Sequence, residues 1–198
     1  AKSKEIRQQY VDHIARMLQF IDYDEATAQA TAKKVLAMET KLAEPRLDKV
    51  AMRDARNYNN PIPFADLQKM TPAINWQKLV DDLGIDKQID TVNVMQPKYM
   101  ASMQNFLKQT PIEDIKSLMV WNTLNGSANY LSTEIEKANW DFYAKTLNGT
   151  QKQRPAEERA LETVDRAVGE AIGKLYVEAK FPPEAKAKAE EMIADVIE

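Results

Sequence analysis

The sequence predicts an all-α protein, a bundle-like lobe of long antiparallel helices with an irregular segment near residues 46–95. Three observations support this fold class. The 198 residues include only 5 glycines, whereas the strong helix formers alanine, leucine, lysine, glutamate and glutamine are abundant. Apolar residues recur at three- and four-residue steps along most of the chain. Only Thr91–Val94 has the character of an extended segment, and it is short.

Two helices are predicted in the first quarter of the chain. The first should span residues 3–21, because an apolar stripe follows the helical period there. Asp24 can cap the second helix, and Pro45 should end it because the residue before a proline is disfavoured in the helical region. The stripe of the first helix consists of Ile6, Tyr10, Ile14, Met17, Leu18 and Ile21.

The middle of the chain is less regular. Residues 57–63 are predicted to form a loop, because two prolines follow a cluster of asparagines. Short helices are expected at 63–70 and at 75–83, the second capped by Asn75. A further helix should start at Pro97, since proline is favoured at the first helical position.

A capping box is predicted at residues 110–113. The Thr110 hydroxyl would accept the amide hydrogen of Glu113, whose carboxylate would reach back to the Thr110 amide. The helix that follows should run to about Glu136, unless it breaks near Gly126. An aromatic-rich segment from Asn139 to Leu147 comes next.

A long helix is predicted over residues 155–180 and a last one after Pro182-Pro183. The last helix keeps its apolar period up to Glu198, without a closing glycine or a polar tail. We therefore expect a single helical domain over residues 1–198 that is trimmed at both ends. The stripe of the long helix consists of Leu161, Val164, Val168, Ile172, Leu175 and Ala179.

Composition and charge exclude several classes of function. The net charge of −3, without a block of like charges, argues against nucleic-acid binding. No apolar run reaches the roughly 18 residues that span a bilayer. The chain contains no cysteine, which excludes disulfides, thiolate zinc sites and cysteine nucleophiles.

The sequence contains no complete catalytic, cofactor-binding or metal site. His13 is the only histidine, and Ile14-Ala15-Arg16-Met17 follows it, so it does not begin a His-Glu-x-x-His zinc motif. We interpret His13 as a surface or boundary residue of the first helix. A serine triad needs a histidine base, and this sequence has no histidine other than His13. Asn125-Gly126-Ser127 is not a nucleophile elbow.

The remaining candidate residues have simpler explanations. Glu134, Lys137 and Asp141 are expected to lie on a solvated helix face. Gly169 and Gly173 are expected to allow close approach of a neighbouring helix. Glycosylation triplets begin at Asn125 and Asn148, but such short matches arise by chance and we give them no weight.

Four ordered groups of residues resemble the N-terminal region of the neprilysin-like zinc metallopeptidases, of the bacterial oligoendopeptidase O type. The resemblance covers most of the chain, and its most specific part is the last group. Ala156-Glu157 departs from the basic residue and tryptophan common in the family, and the cysteines of animal members are missing, which suggests a bacterial sequence. The groups are Arg53-Asp54, Tyr58-Asn59, Asp66-Leu67, Pro72, Trp76 and Leu83-Gly84; Val92, Val94, Pro97 and Tyr99; Leu118-Met119-Val120-Trp121; and Ala167-Val168-Gly169, Gly173-Lys174-Leu175-Tyr176-Val177 and Phe181.

The resemblance implies a two-lobed endopeptidase. One lobe would hold zinc through His-Glu-x-x-His and a later glutamate, with zinc-bound water attacking the peptide carbonyl. The other lobe, to which this chain corresponds, would be a helical lid that admits only short peptides. The zinc ligands would lie beyond Glu198, so zinc belongs to the parent enzyme and not to this segment.

Partners and location follow from the same resemblance. We expect peptide substrates, a catalytic lobe in the same protein, and self-association of the excised segment through apolar faces that it leaves exposed. An exported location in a bacterium, periplasmic or at the cell envelope, is expected, with the cytoplasm as the alternative. The alternative functions are a free-standing helical binding or scaffold module and a degenerate member without zinc ligands.

Overall fold

The computed structural model describes residues 2–85 and 88–197. The chain divides into two compact units, Ala1–Gly149 and Thr150–Glu198. Helices dominate both units, which confirms the all-α prediction. That residues 1–198 form a single helical lobe stays a prediction. The division into two units does not show what either unit contacts in a longer protein.

The first unit contains seven α-helices among its described residues, and it ends in a π-helix. Three short 3₁₀ turns lie between them, at Ala51–Arg53, Ala55–Asn57 and Ala128–Tyr130. The predicted break near Gly126 is confirmed, because one helix ends at Ser127 and the next begins at Thr133. The helices are α1 (Lys2–Gln19), α2 (Glu25–Ala43), α3 (Phe64–Met70), α4 (Trp76–Asp82), α5 (Pro97–Gln109), α6 (Ile112–Ser127) and α7 (Thr133–Trp140), followed by the π-helix (Asp141–Leu147).

Side-chain caps begin two of these helices as predicted. At α2 the two carboxylate oxygens of Asp24 accept hydrogen bonds from the amide and the hydroxyl of Thr27, at 2.9 and 2.6 Å. The hydroxyl bond and then the amide bond lower the pKa of Asp24. At α4 the Asn75 side chain accepts from the amide of Lys78 at 2.9 Å. Each cap satisfies an amide that has no partner within its helix.

The predicted capping box at Thr110 is wrong. Helix α6 begins at Ile112 with Pro111 as its N-cap residue and has no side-chain cap, and Glu113 instead pairs with Lys116 at 2.7 Å. Thr110 is the C-cap of α5, where its amide donates to the carbonyl of Phe106 at 2.9 Å. The tight connection between α5 and α6 thus places Thr110 one position too early to cap α6.

The loop prediction for residues 57–63 is corrected at its end. Pro61–Pro63 forms a strand, β1, that pairs antiparallel with β2 (Thr91–Asn93). The flanking bonds join the Asn60 carbonyl to the Val94 amide and the Phe64 amide to the Asp90 carbonyl. Because the pairing uses alternate residues, the prolines at 61 and 63 fall between the bonding positions, where a missing N–H is tolerated.

The main hydrophobic core lies where α1 packs along α2 and both contact α6, with α7 closing over α1. Trp121 is its largest side chain and is 1% exposed. Alanines at most 1% exposed line the α1–α2 contact, which lets the two helices approach closely. The buried residues of α1 and α2 are Val11, His13, Ile14, Ala15, Met17, Leu18, Ala28, Thr31, Ala32, Val35 and Met38.

The second unit consists of α8 (Ala156–Lys180) and α9 (Pro183–Ile197). The long helix predicted over residues 155–180 is confirmed, but Val168, with φ of −137° and ψ of 21°, interrupts it. The apolar stripe of α8 forms as predicted, but its members are exposed: Leu161, Val164, Val168, Ile172 and Leu175. An amphipathic helix gains its stability from burying such a stripe, so this surface is suited to contact further protein.

Candidate functional site

His13 lies inside the protein, so its interpretation as a surface or boundary residue is wrong. It is 5% exposed and belongs to the buried face of α1. The spacing contained the signal for this: His13 follows Tyr10 by three residues and precedes Met17 by four, which places it on the apolar stripe. The polarity of histidine favours a surface position, whereas the helical period assigns residue 13 to the core.

Aromatic rings surround the His13 imidazole. The Phe142 ring stacks on it at 4.8 Å between centroids and 10° between planes, while Trp121 and Tyr143 meet it edge-on, each at 5.6 Å. Its buried Nε2 atom has no hydrogen-bond partner among the described residues. An unpaired buried nitrogen is unusual, because its desolvation is not offset by a new hydrogen bond.

A hydrogen-bonded chain of side chains runs beside His13. The Trp121 Nε1 donates to the Tyr10 hydroxyl at 3.1 Å, and this hydroxyl donates to the carboxylate of Glu39 at 3.0 Å. Burial raises the pKa of Glu39, and burial together with the nearby Glu39 charge raises the pKa of Tyr10. These bonds link α1, α2 and α6 to one another. They also satisfy polar groups that would destabilise the core if they were buried without hydrogen-bond partners.

A second group of polar contacts joins α6, α7 and the π-helix. The Asn125 amide donates to the Tyr143 hydroxyl at 3.0 Å and accepts from the Asn139 amide at 3.0 Å. Asn125 is therefore committed to packing, which agrees with giving its glycosylation triplet no weight. The members of this group are 14 and 18 residues from Asn125 in the sequence and become neighbours only in the folded chain, so no local signal in the sequence identifies them.

A small opening of about 230 Å³ lies beside the imidazole, lined mainly by α1 and the π-helix. Arg16 and Asp141 face each other across it at 3.5 Å. Glu134 and Lys137 are exposed, as predicted, whereas Asp141 is only half-exposed because of this pair. An exposed ion pair of this length contributes little stability, so it adds little to the contact between α1 and the π-helix at the edge of the opening.

The described residues do not fit a resident metal ion. No group of three or more potential ligands comes together within residues 2–85 and 88–197. Three or four side chains usually hold zinc, mostly imidazoles and thiolates, and this sequence has one histidine and no cysteine. That the chain supplies no catalytic, cofactor or metal residue stays a prediction.

Gly169 and Gly173 lie just after the interruption of α8. A Cβ atom built on Gly169 would meet the Asp165 carboxylate of the same helix at 3.2 Å, and one built on Gly173 would have nothing within 4 Å. Within the described part of the second unit, no other helix comes within 4 Å of either Cβ position, so close approach by a neighbouring helix stays a prediction.

The fold and this site define an α-helical protein whose described part lacks a metal centre and leaves one long amphipathic helix uncovered. A family model described as Peptidase family M13 matches residues 1–198. The chain belongs to peptidase family M13, which confirms the resemblance to the neprilysin-like metallopeptidases.

Curated relatives and solved structures agree with this assignment. Endothelin-converting enzyme-like 1 of Rattus norvegicus is 24% identical over 198 residues, covering 98% of this chain and 25% of the relative. Human endothelin-converting enzyme 1 is 23% identical over 177 residues, covering 87% and 23%. This chain thus spans about a quarter of the length of the curated relatives it matches.

Among solved structures, the zinc metalloprotease Zmp1 of Mycobacterium tuberculosis in its open state gives a TM-score of 0.86 at 30% identity, covering 96% of this chain and 30% of Zmp1. PepO from Lactobacillus rhamnosis gives a TM-score of 0.79 at 19% identity, covering 98% and 30%, and shows the fold alone. None of the helices in the described part of this chain is long and apolar enough to cross a membrane.

Proposed function

We propose that this chain is the helical lobe of a zinc metalloendopeptidase that cleaves short peptides. The observation that carries this proposal is the match of the M13 family model to the whole of residues 1–198. The lobe limits access to the active site by size and excludes water from it, and it makes no bond to the substrate.

Two further observations support the proposal. The solved relative with 30% identity is a zinc metalloprotease, and its chain extends well beyond the part that this segment matches. The exposed stripe of α8 gives this segment an apolar surface for a catalytic lobe of the same protein. The bacterial neighbours Zmp1 and PepO are consistent with a bacterial peptidase, which we propose to be exported.

The zinc ion would be held by another part of the parent enzyme. The donor set of the described residues does not fit zinc, because His13 is enclosed by aromatic rings and no cluster of carboxylates accompanies it. The residues of this chain therefore contribute walls and packing, and they neither hold the metal nor transfer a proton to the substrate.

The isolated 198-residue chain is expected to bind no stoichiometric zinc and to cleave no peptide, whereas the longer protein encoded by the same reading frame does both. The reading frame after Glu198 should encode His-Glu-x-x-His. Zinc per chain, measured by mass spectrometry of the metal, and cleavage of a fluorogenic peptide series of increasing length test both forms.

The control is the longer protein with the glutamate of that motif replaced by glutamine, which should keep zinc and lose cleavage. One tight zinc ion in the isolated chain would contradict the proposal. So would a longer protein without zinc or peptidase activity, and a stop codon directly after Glu198 would favour the scaffold alternative.

The isolated chain is also expected to self-associate, because the apolar stripe of α8 is exposed among the described residues. Replacing Leu175, which is 65% exposed, by serine should reduce the associated fraction seen by analytical ultracentrifugation and the binding of an apolar dye. Leu83→Ser is the matched control, since Leu83 is 66% exposed but lies after α4. A strictly monomeric wild-type chain at high concentration would count against this expectation.

A further inference from the structure

His13 has no part in the proposed function, yet its position is demanding. The imidazole is 5% exposed and stacks on Phe142, and within residues 2–85 and 88–197 its Nε2 atom has neither an acceptor nor a donor. A neutral ring fits this aromatic enclosure as a flat, weakly polar side chain. A protonated ring would place a charge and a second N–H donor where no acceptor is found, at a high desolvation cost.

The charges around His13 do not supply the missing partner. On α1 the nearest groups are Tyr10, Asp12 and Arg16, of which Asp12 accepts from the Gln8 amide at 2.9 Å. The π-helix contributes Asp141, which faces Arg16, and Tyr143, which accepts from Asn125.

The other elements packed against the ring add no free charge. From α2 comes Glu39, which accepts from Tyr10. From α6 and α7 come the uncharged side chains of Trp121 and Ala138. Each nearby carboxylate is thus engaged by another group.

The His13 ring contacts a short segment at the end of the first unit. The π-helix Asp141–Leu147 is the last helical segment of the first unit, and its hydrogen-bond pattern is rare in proteins and concentrated at functional sites. It packs on α1 through the Phe142–His13 stack, the Phe142–Tyr10 contact at 5.4 Å between ring centroids, the edge-on Tyr143–His13 contact and the Arg16–Asp141 pair. Loss of the stack would leave the Phe142–Tyr10 ring contact, the Asn125–Tyr143 hydrogen bond and an exposed ion pair to hold this segment.

We propose that His13 is an acid-sensitive latch, and that its protonation releases the π-helix from α1 while the rest of the first unit stays folded. The device is intrinsic to this chain and does not depend on the proposed peptidase function. Opening would loosen the chain at the point where it leaves the first unit, just before Gly149.

The direction of the pH effect follows from the two protonation states. Burial, and then the Arg16 charge, lower the pKa of His13 from 6.5 to about 4 in the closed state. In the open state the ring is solvated and its pKa returns to the ordinary value, so the open state binds the proton more tightly. The closed state therefore has its full stability above pH 6.5 and loses it as the pH falls towards 4. The equilibrium constant for opening rises about 20-fold between pH 7 and 5.

Two measurements on the 198-residue chain test the latch. Because His13 is the only histidine, its ring resonance in an NMR titration reports its pKa without ambiguity. Amide hydrogen exchange, corrected for the intrinsic pH dependence, should show opening of residues 141–147 increasing about 20-fold from pH 7 to 5. Protection in α3 and α5, which do not contact His13, should stay constant.

His13→Gln and His13→Phe remove the titrating group, and both should abolish the pH dependence of opening in residues 141–147. Asp12→Asn is the matched control, since it changes a charge at the same opening and should leave the dependence in place. If His13→Phe does not fold, the wild-type titration and His13→Gln still decide. A His13 pKa near 6.5, pH dependence that persists in His13→Gln, or a uniform loss of protection in α3 and α5 would overturn the proposal.

Discussion

Replacing Trp121 by alanine is expected to lower the free energy of unfolding by about 3–5 kcal/mol, the usual cost of truncating a buried aromatic side chain. The indole is 1% exposed at the centre of the contact between α1, α2 and α6. Its ring meets Tyr10 and His13 edge-on, and its Nε1 donates to the Tyr10 hydroxyl. The variant therefore leaves a large cavity and removes one bond from the chain that ends at Glu39.

The measurement is urea unfolding at low protein concentration, followed by far-ultraviolet circular dichroism because the variant removes a fluorophore. Met119→Ala is the matched control, since Met119 lies on the same helix but is 64% exposed. Its effect should stay within about 0.5 kcal/mol, as for other surface substitutions. Equal destabilisation by the two variants would contradict the placement of Trp121 at the centre of the core.

Replacing Ala32 by leucine is expected to destabilise the protein by about 1–3 kcal/mol, because a well-packed contact has no room for three additional carbons. Ala32 and Ala28 are fully buried on α2, and Ala15 is 1% exposed on α1. These small side chains allow close contact of the two helices. A larger residue would force them apart or push the new side chain out of its preferred rotamer.

Ala30→Leu provides the control for this experiment, because Ala30 is exposed on the same helix and leucine has nearly the helix propensity of alanine. The midpoint of thermal unfolding of both variants is compared with that of the wild-type chain. We expect a lower midpoint for Ala32→Leu only. A stabilised Ala32→Leu variant would mean that the α1–α2 contact contains an unfilled cavity.

Local signals in the sequence predicted much of the fold. The apolar periods located the helices, and the caps at Asp24 and Asn75 formed as expected, because a cap depends only on residues within one turn. The predictions were wrong at positions where two segments of the chain contact each other. Thr110 has the sequence signal of a cap for α6 but ends α5, and Pro61–Pro63 forms a strand only by pairing with Thr91–Asn93.

For the candidate site, too, local signals in the sequence predicted one part and contacts between distant segments determined the other. The absence of a zinc motif was evident from a single histidine and no cysteine, and the ordered residues around Gly169 and Gly173 identified the peptidase family. The surroundings of His13 were not evident. The period of α1 placed it on the buried face, but its enclosure requires Trp121 from α6 and Phe142 from the π-helix.

The sequence by itself therefore determined that this protein is helical, that it belongs to a peptidase family, and that it contains one histidine and no cysteine. These properties depend on residue types and short-range periodicity, which the linear order contains directly. Only the tertiary structure decided that the apolar stripe of α8 is exposed among the described residues and that the Nε2 atom of His13 is buried without a hydrogen-bond partner among them. Burial and unpaired polar atoms depend on contacts between segments more than a hundred residues apart, and these exist only once the chain has folded.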